Sequence, residues 1–247
     1  MGAKKNRLGE KKMMKCGSIG TIVEYNDAQN IKVKFEETDN VVSTQYSSFQ
    51  KGIVRNPLSL DIYGVACLGN TKSYENGHRK KSYTTWLGML HRCYSKKQAE
   101  RTPSYVGCRV CDEWLCYETF EKWYNENYYE VQGEVVCLDK DILVRNNKIY
   151  SPNTCVFIPN SINVFISKGN LINKSSNLPT GIYIQNGKYA VQISKHNKSC
   201  WVGCYDTLEE AICSHQKAKL EHLRTLINKY KEYIPNKAYD SLYNWEF

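Results

Sequence analysis

"GIYIQNGKYAVQISKHNKSCWVGCYDTLEEAICSHQKAK", residues 181–219, carries the strongest structural signal in the chain. Apolar and polar residues alternate through "GIYIQ", "KYAVQIS" and "SCWVGCY", the period-2 pattern of half-buried strands. Asn186-Gly187 parts the first two runs, and that dipeptide supplies the left-handed backbone of a two-residue hairpin turn. "KHNK" (195–198) turns between the second and third. Asp206 or Thr207 then caps a helix with Glu209 and Glu210 in its first turn, where a capping box and the positive helix end favour acids. Ala211, Ala218 and Leu220 give that helix a sheet-facing side. The expected unit, residues 174–247, is a three-stranded antiparallel sheet packed on one helix, entered through the linker-like "KSSNLPTG" (174–181). The outer face of such a sheet can lie in a DNA major groove, with strand residues at base edges and lysines on phosphates. Its candidates are Tyr183, Gln185, Lys188, Gln192 and Lys195, with Lys198 and Trp201 nearby.

Upstream, residues 83–173 form a central α+β segment. "YTTWLGMLHRCY" (83–94) spaces Trp86, Met89, Leu90 and Cys93 as one face of an amphipathic helix. A second helix is expected from Asp112, burying Trp114, Phe120 and Trp123. "LDKDILVRNNKIYSPNTCVFIPNSIN" (138–163) reads as strand, Asn- and Lys-rich turn, strand, and a helix opened by Pro-Asn.

Residues 57–82 have the turn formers and charges of a linker, and His78, Arg79, Lys80 and Lys81 make a cationic cluster. Arg79 and Lys80 there read either as solvated charges or as phosphate contacts. Residues 17–56 alternate as "IGTIVEY", "IKVKFEET" and "VVSTQYSSF", with Val33 and Phe35 facing one way and Lys32 and Lys34 the other. That pattern resembles a small β-barrel of KOW or Tudor type. Residues 1–16 read as a basic flexible N-terminus, without the apolar core of a secretory signal. No apolar run approaches the ~20 residues of a membrane span, so membrane partners are not expected. In 247 residues, 34 Lys and Arg against 25 Asp and Glu give a net charge of +9, which draws a protein to polyanions. Eleven cysteines, an odd number, read as reduced thiols of the cytoplasm.

Two resemblances follow from these residues. "GIYIQNGKYAVQI" and "WVGCYDTLEEAICSHQKAK" are similar to the apetala-two (plant ethylene-response-factor) DNA-binding domain, with Val202 and Tyr205 where that family has Leu and Phe. The arginines that read guanine in the plant domains are largely missing from these strands, so base preference does not carry over. "WLGMLHRCY", "YVGCRVCDEW", "LDKDI" and "YSPNTCVFIP" resemble a phage-encoded group of HNH-endonuclease relatives, which often carry the apetala-two-like module downstream. The resemblance implies a ββα (His-Me-finger) core, duplex DNA as partner, and the cytoplasm of an infected bacterium as location.

An HNH site needs a metal on the scissile phosphate, a general base for water, and an Asn to orient that base. Matched to the family pattern, Asp139 stands at the Asp and Lys140 at the base His. Asn146, Asn147 or Asn153 answers to the loop Asn, and Asn160 and Asn163 stand at the start of the helix. A protonated Lys cannot accept a proton, though it can bind phosphate. Two roles stay open. Asp139 and Asp141, on one strand face, hold Mg²⁺ or Mn²⁺ with His78 or His91 as base, and the chain is a homing or nicking endonuclease. Otherwise the core is non-catalytic, and the chain is a regulator or anti-defence protein that binds DNA or a host protein. Cys108 and Cys111 have zinc-ligand spacing, but no second Cys pair or His pair accompanies them, so buried free thiols are favoured over structural zinc.

Overall fold

The structure is a computed structural model that describes residues 7–167, 177–195 and 198–247. The first six residues of the expected basic N-terminus, residues 168–173 of the expected central segment, residues 174–176 of the expected 174–181 linker, and His196 and Asn197 of the second hairpin turn lie outside the described residues. The fold is α+β, in two compact units: residues 1–126 with 148–150, and residues 127–147 with 151–247. The expected central segment thus contributes to both units. Among the described residues, no helix is long and apolar enough to cross a membrane.

The first unit opens with an antiparallel meander of β1 (Lys11–Met13), β2 (Ile19–Asp27), β3 (Asn30–Phe35) and β4 (Val41–Thr44). Alternation along β3 works as the sequence indicates. Ile31, Val33 and Phe35 are buried, while Lys32 and Lys34 pair outside with Glu24 (2.6 Å) and Asp39 (2.7 Å). The sheet is open, not the expected closed barrel, because the strand expected over 41–49 stops at Thr44. Tyr46 and Phe49, three apart, turn instead onto the inner side of a short helix, α1 (Tyr46–Gln50), and join the core. Lys11–Met13, expected within a flexible start, pairs with β2 instead.

Residues 57–82 are more than a linker. Ala66, Cys67 and Leu68 are buried, and β5 (Tyr74–Glu75) and β6 (His78–Arg79) make a small ladder. The helix α2 (Lys81–Tyr94) buries Trp86, Met89 and Leu90 at the spacing its sequence shows. A short α3 (Lys96–Arg101) follows, then β7 (Arg109–Val110). The helix expected from Asp112 is broken: a single 3₁₀ turn (Asp112–Leu115) ends at the extended Cys116, which bridges to Cys67, and α4 (Tyr117–Asn127) starts after it. Trp114 and Phe120 are fully buried, and Trp123 half-buried beside them (ring centroids 4.5 Å from Trp114).

In the second unit, β8 (Val136–Asp139) pairs antiparallel with β10 (Val156–Pro159), and α5 (Asn160–Ser167) follows directly. The short β9 (Ile149–Tyr150), in the loop between them, pairs parallel with β7 in a separate two-stranded sheet and belongs to the first unit. The expected sheet is present as β11 (Ile182–Gln185), β12 (Lys188–Lys195) and β13 (Lys198–Tyr205), in that order. Asn186 and Gly187 have φ of 50° and 75°, as the hairpin requires. The helix α6 (Leu208–Lys229) starts on a complete capping box: Thr207 accepts from Glu210 N–H and Glu210 accepts from Thr207 N–H. Its first turns pack Leu208, Ala211 and Ile212 on Ile182 and Val191. Its last turns carry Leu223, Leu226, Ile227 and Tyr230 into a second core with Val156, Ile158 and Ile162. A closing helix, α7 (Asn236–Tyr243), adds Ala238 and Leu242. The sheet-and-helix module therefore shares a hydrophobic core with the 138–163 hairpin.

Candidate nucleic-acid interface

Ile182 and Val191 are cross-strand partners and pack toward α6. Neighbouring residues on a strand point to opposite faces, so Tyr183, Gln185 and Lys188 project away from the helix. Gln185 and Lys188 face each other across the hairpin. Gln192 and Trp201 are partners just past a register shift, and Trp201 is 57% exposed. The Gln192 side-chain Oε1 accepts from Ser199 Oγ (2.6 Å). Lys188 pairs with Asp206 (2.9 Å) while both stay exposed, and that partner raises the lysine's pKa. Lys195 and Lys198 face each other at the far end of the second hairpin. The face thus offers an exposed indole, a phenol, the Gln185 amide and Lys188, with Lys195 and Lys198 paired at the other end of β12.

The 138–147 stretch is built differently. Asp139 Oδ1 accepts from the backbone N–H groups of Asp141 (2.7 Å) and Ile142 (2.8 Å), closing the turn after β8. Burial pushes the Asp139 carboxyl up; those two bonds only partly offset it, and the nearby Asp141 adds to the rise. Lys140 is buried. Its Nζ donates to both Asp141 carboxylate oxygens (2.7 and 2.8 Å) and to the Asn147 carbonyl (2.6 Å). The Asn147 amide returns a bond to the Lys140 carbonyl (2.9 Å). Asn163 donates to Cys137 Sγ (3.2 Å), and Asn153 is exposed in its turn.

A divalent ion bridging Asp139 and Asp141 would need hard oxygen ligands on both. One of those carboxylates closes a backbone turn and the other clasps an ammonium. The donor set does not fit the ion while Lys140 is seated. Of the two histidines considered as bases, His91 shares a hydrogen bond between its Nδ1 and Tyr63 OH (2.8 Å), and His78 sits exposed on β6. Both belong to the first unit, whereas Asp139 belongs to the second.

Arg79 is exposed, with its guanidinium 5.8 Å from the ring centroids of Tyr74 and Tyr83. Lys80 pairs with the buried Glu121 (2.9 Å), which also accepts from Thr71 and from Tyr117 OH (2.8 Å). Burial works against the Glu121 carboxylate, but these donors outweigh it and hold its pKa down. Lys80 is therefore a structural cation, and Arg79 the outward one. Cys108 and Cys111 flank β7, and burial raises the Cys111 thiol. Among the described residues no three His, Cys, Asp or Glu side chains gather as a metal site.

No family model, curated protein or solved structure matches the chain.

One polar group had escaped sequence reasoning. His215, Lys219 and His222 lie on one side of α6 and are each 6% exposed. The signal was their spacing of four and three, set between the apolar residues at either end of the helix.

Proposed function

We propose that this protein binds double-stranded DNA through the β11–β13 face turned away from α6. The observation that supports this reading is the placement of Tyr183, Gln185 and Lys188 opposite the packed face, with Trp201 exposed on β13. An amide and an indole suit base edges and the thymine methyl, and the lysines suit phosphates. The net charge of +9 supports a polyanionic partner. The 138–163 hairpin supports docking as scaffold: Lys140 stands where a base would, engaged with Asp141 and Asn147. This favours a DNA-binding protein of the HNH-related type that does not cut.

The test is fluorescence anisotropy of the full chain on a labelled duplex over a series of salt concentrations. A steep linear fall of log affinity with log salt is expected, weakened by Trp201→Ala and by Lys188→Ala. Salt-independent retention, or retention unaltered in both variants, would discard the reading. Incubating the same chain with supercoiled plasmid and Mg²⁺ or Mn²⁺ addresses cutting directly: nicking abolished by Asp139→Ala would restore an endonuclease.

A further inference from the structure

In the first unit, the buried 66–68 stretch runs beside the start of α4. Cys67 and Cys116 stand opposite each other there, in an isolated parallel bridge. Cys67 N–H donates to the Leu115 carbonyl (3.0 Å), and Tyr117 N–H donates to the Cys67 carbonyl (2.9 Å), so bonds on either side fix the register. The two segments stay joined beyond the cysteines. Glu118 N–H donates to the Leu68 carbonyl (3.1 Å), Asn70 N–H to Glu118 Oε2 (3.0 Å), and Thr71 Oγ1 to Glu121 Oε2. Gly69, at φ +70°, lets the chain turn close over the pair. A Cβ there would stand 3.0 Å from Cys116 Sγ and 2.6 Å from Glu118 Cβ.

Backbone geometry already suits a bond between the sulfurs. Neighbouring strands run about 4.8 Å apart, inside the about 4.4–6.8 Å between Cα atoms that a disulfide spans. A hydrogen bond joins the two thiols, and both cysteines are free in the structure. Bonding them needs side-chain rotation while the backbone keeps its register. Access separates their roles. Cys67 is 7% exposed, whereas Cys116 is half-buried and reaches solvent. Burial, and after it the neighbouring Cys116, hold the Cys67 thiol well above its ordinary value. Cys116 is therefore the sulfur that an oxidant meets first, and Cys67 the one that closes the bond.

We propose that Cys67 and Cys116 are a reversible disulfide site, a redox-responsive staple between the 66–69 segment and the start of α4. The oxidant is a small disulfide of the glutathione class. The Cys116 thiolate attacks one sulfur of oxidised glutathione; that S–S bond breaks, and one glutathione thiolate leaves and takes up the proton Cys116 has lost. Cys67, as thiolate, then attacks the Cys116 sulfur; the mixed disulfide breaks, and the second glutathione thiolate leaves and takes up the Cys67 proton. Two protein thiols are oxidised to one disulfide, and oxidised glutathione is reduced to two thiols. The closed bond ties residues 67–116, with α2 and α3 among them, into one loop and takes freedom from the unfolded chain. The inference does not rest on the duplex-binding reading, since both cysteines lie in the first unit and the sheet face in the second.

The full chain is equilibrated at mildly alkaline pH with mixtures of reduced and oxidised glutathione, quenched with acid, alkylated, digested and read by mass spectrometry. A peptide pair linked through Cys67 and Cys116 is expected to grow as the oxidised share rises, and to vanish on adding dithiothreitol. The urea midpoint of the oxidised chain should rise above that of the reduced chain. Cys204 and Cys213, both exposed, report that the oxidant works by taking up glutathione themselves. Glutathione on those two, with no link between Cys67 and Cys116 in the most oxidising mixture, overturns the proposal. A link that forms only after urea unfolds the chain overturns it as well. Cys67→Ala separates the two steps: Cys116 should then keep its glutathione, at least about tenfold more of it than in the parent chain, because nothing displaces it. Circular dichroism checks that variant's fold; if it fails, peptide mapping of the unaltered folded chain decides alone.

Discussion

The β11–β13 face and the Asp139 turn belong to one unit and use similar residues, yet they use them in opposite ways. On the sheet, Tyr183, Gln185 and Trp201 stand out from the fold, and the Lys188–Asp206 pair remains exposed on both sides. In the turn, Asp139, Lys140, Asp141 and Asn147 satisfy one another and the backbone within ten residues. Exposed pairs contribute little to stability and exchange readily for a ligand. Buried, multiply bonded charges hold a conformation and are costly to disturb. The contrast teaches that a motif's residue types do not say whether its polar groups face a partner or the chain itself.

The largest expected effect breaks the turn. Lys140→Ala leaves the Asn147 carbonyl without its ammonium and Asp141 without its partner. We expect a loss of about 2–3 kcal/mol, below the full value for a wholly buried pair because Asp141 keeps solvent access. Urea unfolding followed by circular dichroism measures it. Duplex affinity of the folded fraction should not change. A stable Lys140→Ala protein with altered DNA binding would mean that the lysine faces a ligand after all.

Trp201→Ala should behave as the mirror image. Removing an exposed indole costs the fold under about 0.5 kcal/mol. Duplex affinity should fall about tenfold, the scale of an aromatic anchor at an interface. The readouts are the urea midpoint and the anisotropy titration. If Trp201→Ala unfolds the protein while binding persists, the two regions have been assigned the wrong way round.

How much of this was legible beforehand follows from the range of each interaction. The β11–β13 sheet, its Asn186-Gly187 turn and the Thr207–Glu210 cap are set by neighbours in sequence, and local pattern was enough. The sheet-facing side of α6 was only partly readable. Ala211 packs as expected, whereas Ala218 and Leu220 are half-buried and Ile212 takes part instead. Alternation in β3 was legible, but barrel closure was not, because Tyr46 and Phe49 suit a strand or a helix equally until the core chooses. Lys140 was recognised as a charged residue in place of a histidine. Its clasp on Asp141 and Asn147 depends on how the loop folds back, which no period in the sequence encodes. The buried polar group on α6 was missed for a related reason: two histidines and a lysine on a helix read as solvated face until both flanking cores are in place.

A smaller effect separates structure from chemistry at Asp139 itself. Asparagine keeps an oxygen for the N–H groups of Asp141 and Ile142, so Asp139→Asn should preserve the turn, while Asp139→Ala should cost about 1–2 kcal/mol. The sign of the pH effect discriminates further. The folded protein holds the Asp139 carboxyl above its ordinary value, so its ionisation opposes folding once pH exceeds about 4. Asp139→Asn removes that penalty. It should gain stability relative to the parent at neutral pH, and the gain should vanish as pH falls below about 4, where the parent's carboxyl is protonated in both states. Urea midpoints of the two proteins at neutral pH and near pH 4 supply the comparison. A constant difference between them would show that burial at Asp139 is not felt as a charge.

The smallest effect concerns one lysine and sharpens the sheet side of the contrast. Lys188 is held by Asp206 in the free protein, and a phosphate would have to replace that carboxylate. Lys188→Ala should therefore lower duplex affinity modestly and uniformly across sequences, and reduce the slope of log affinity against log salt by about one. Asp206→Asn should act in the opposite sense, releasing the ammonium to DNA and raising affinity without changing the slope. Both are read from the same anisotropy series. If Asp206→Asn weakened binding as much as Lys188→Ala, the pair would be acting as a unit that positions the hairpin, and the lysine would belong with Lys140 among the charges that serve the fold.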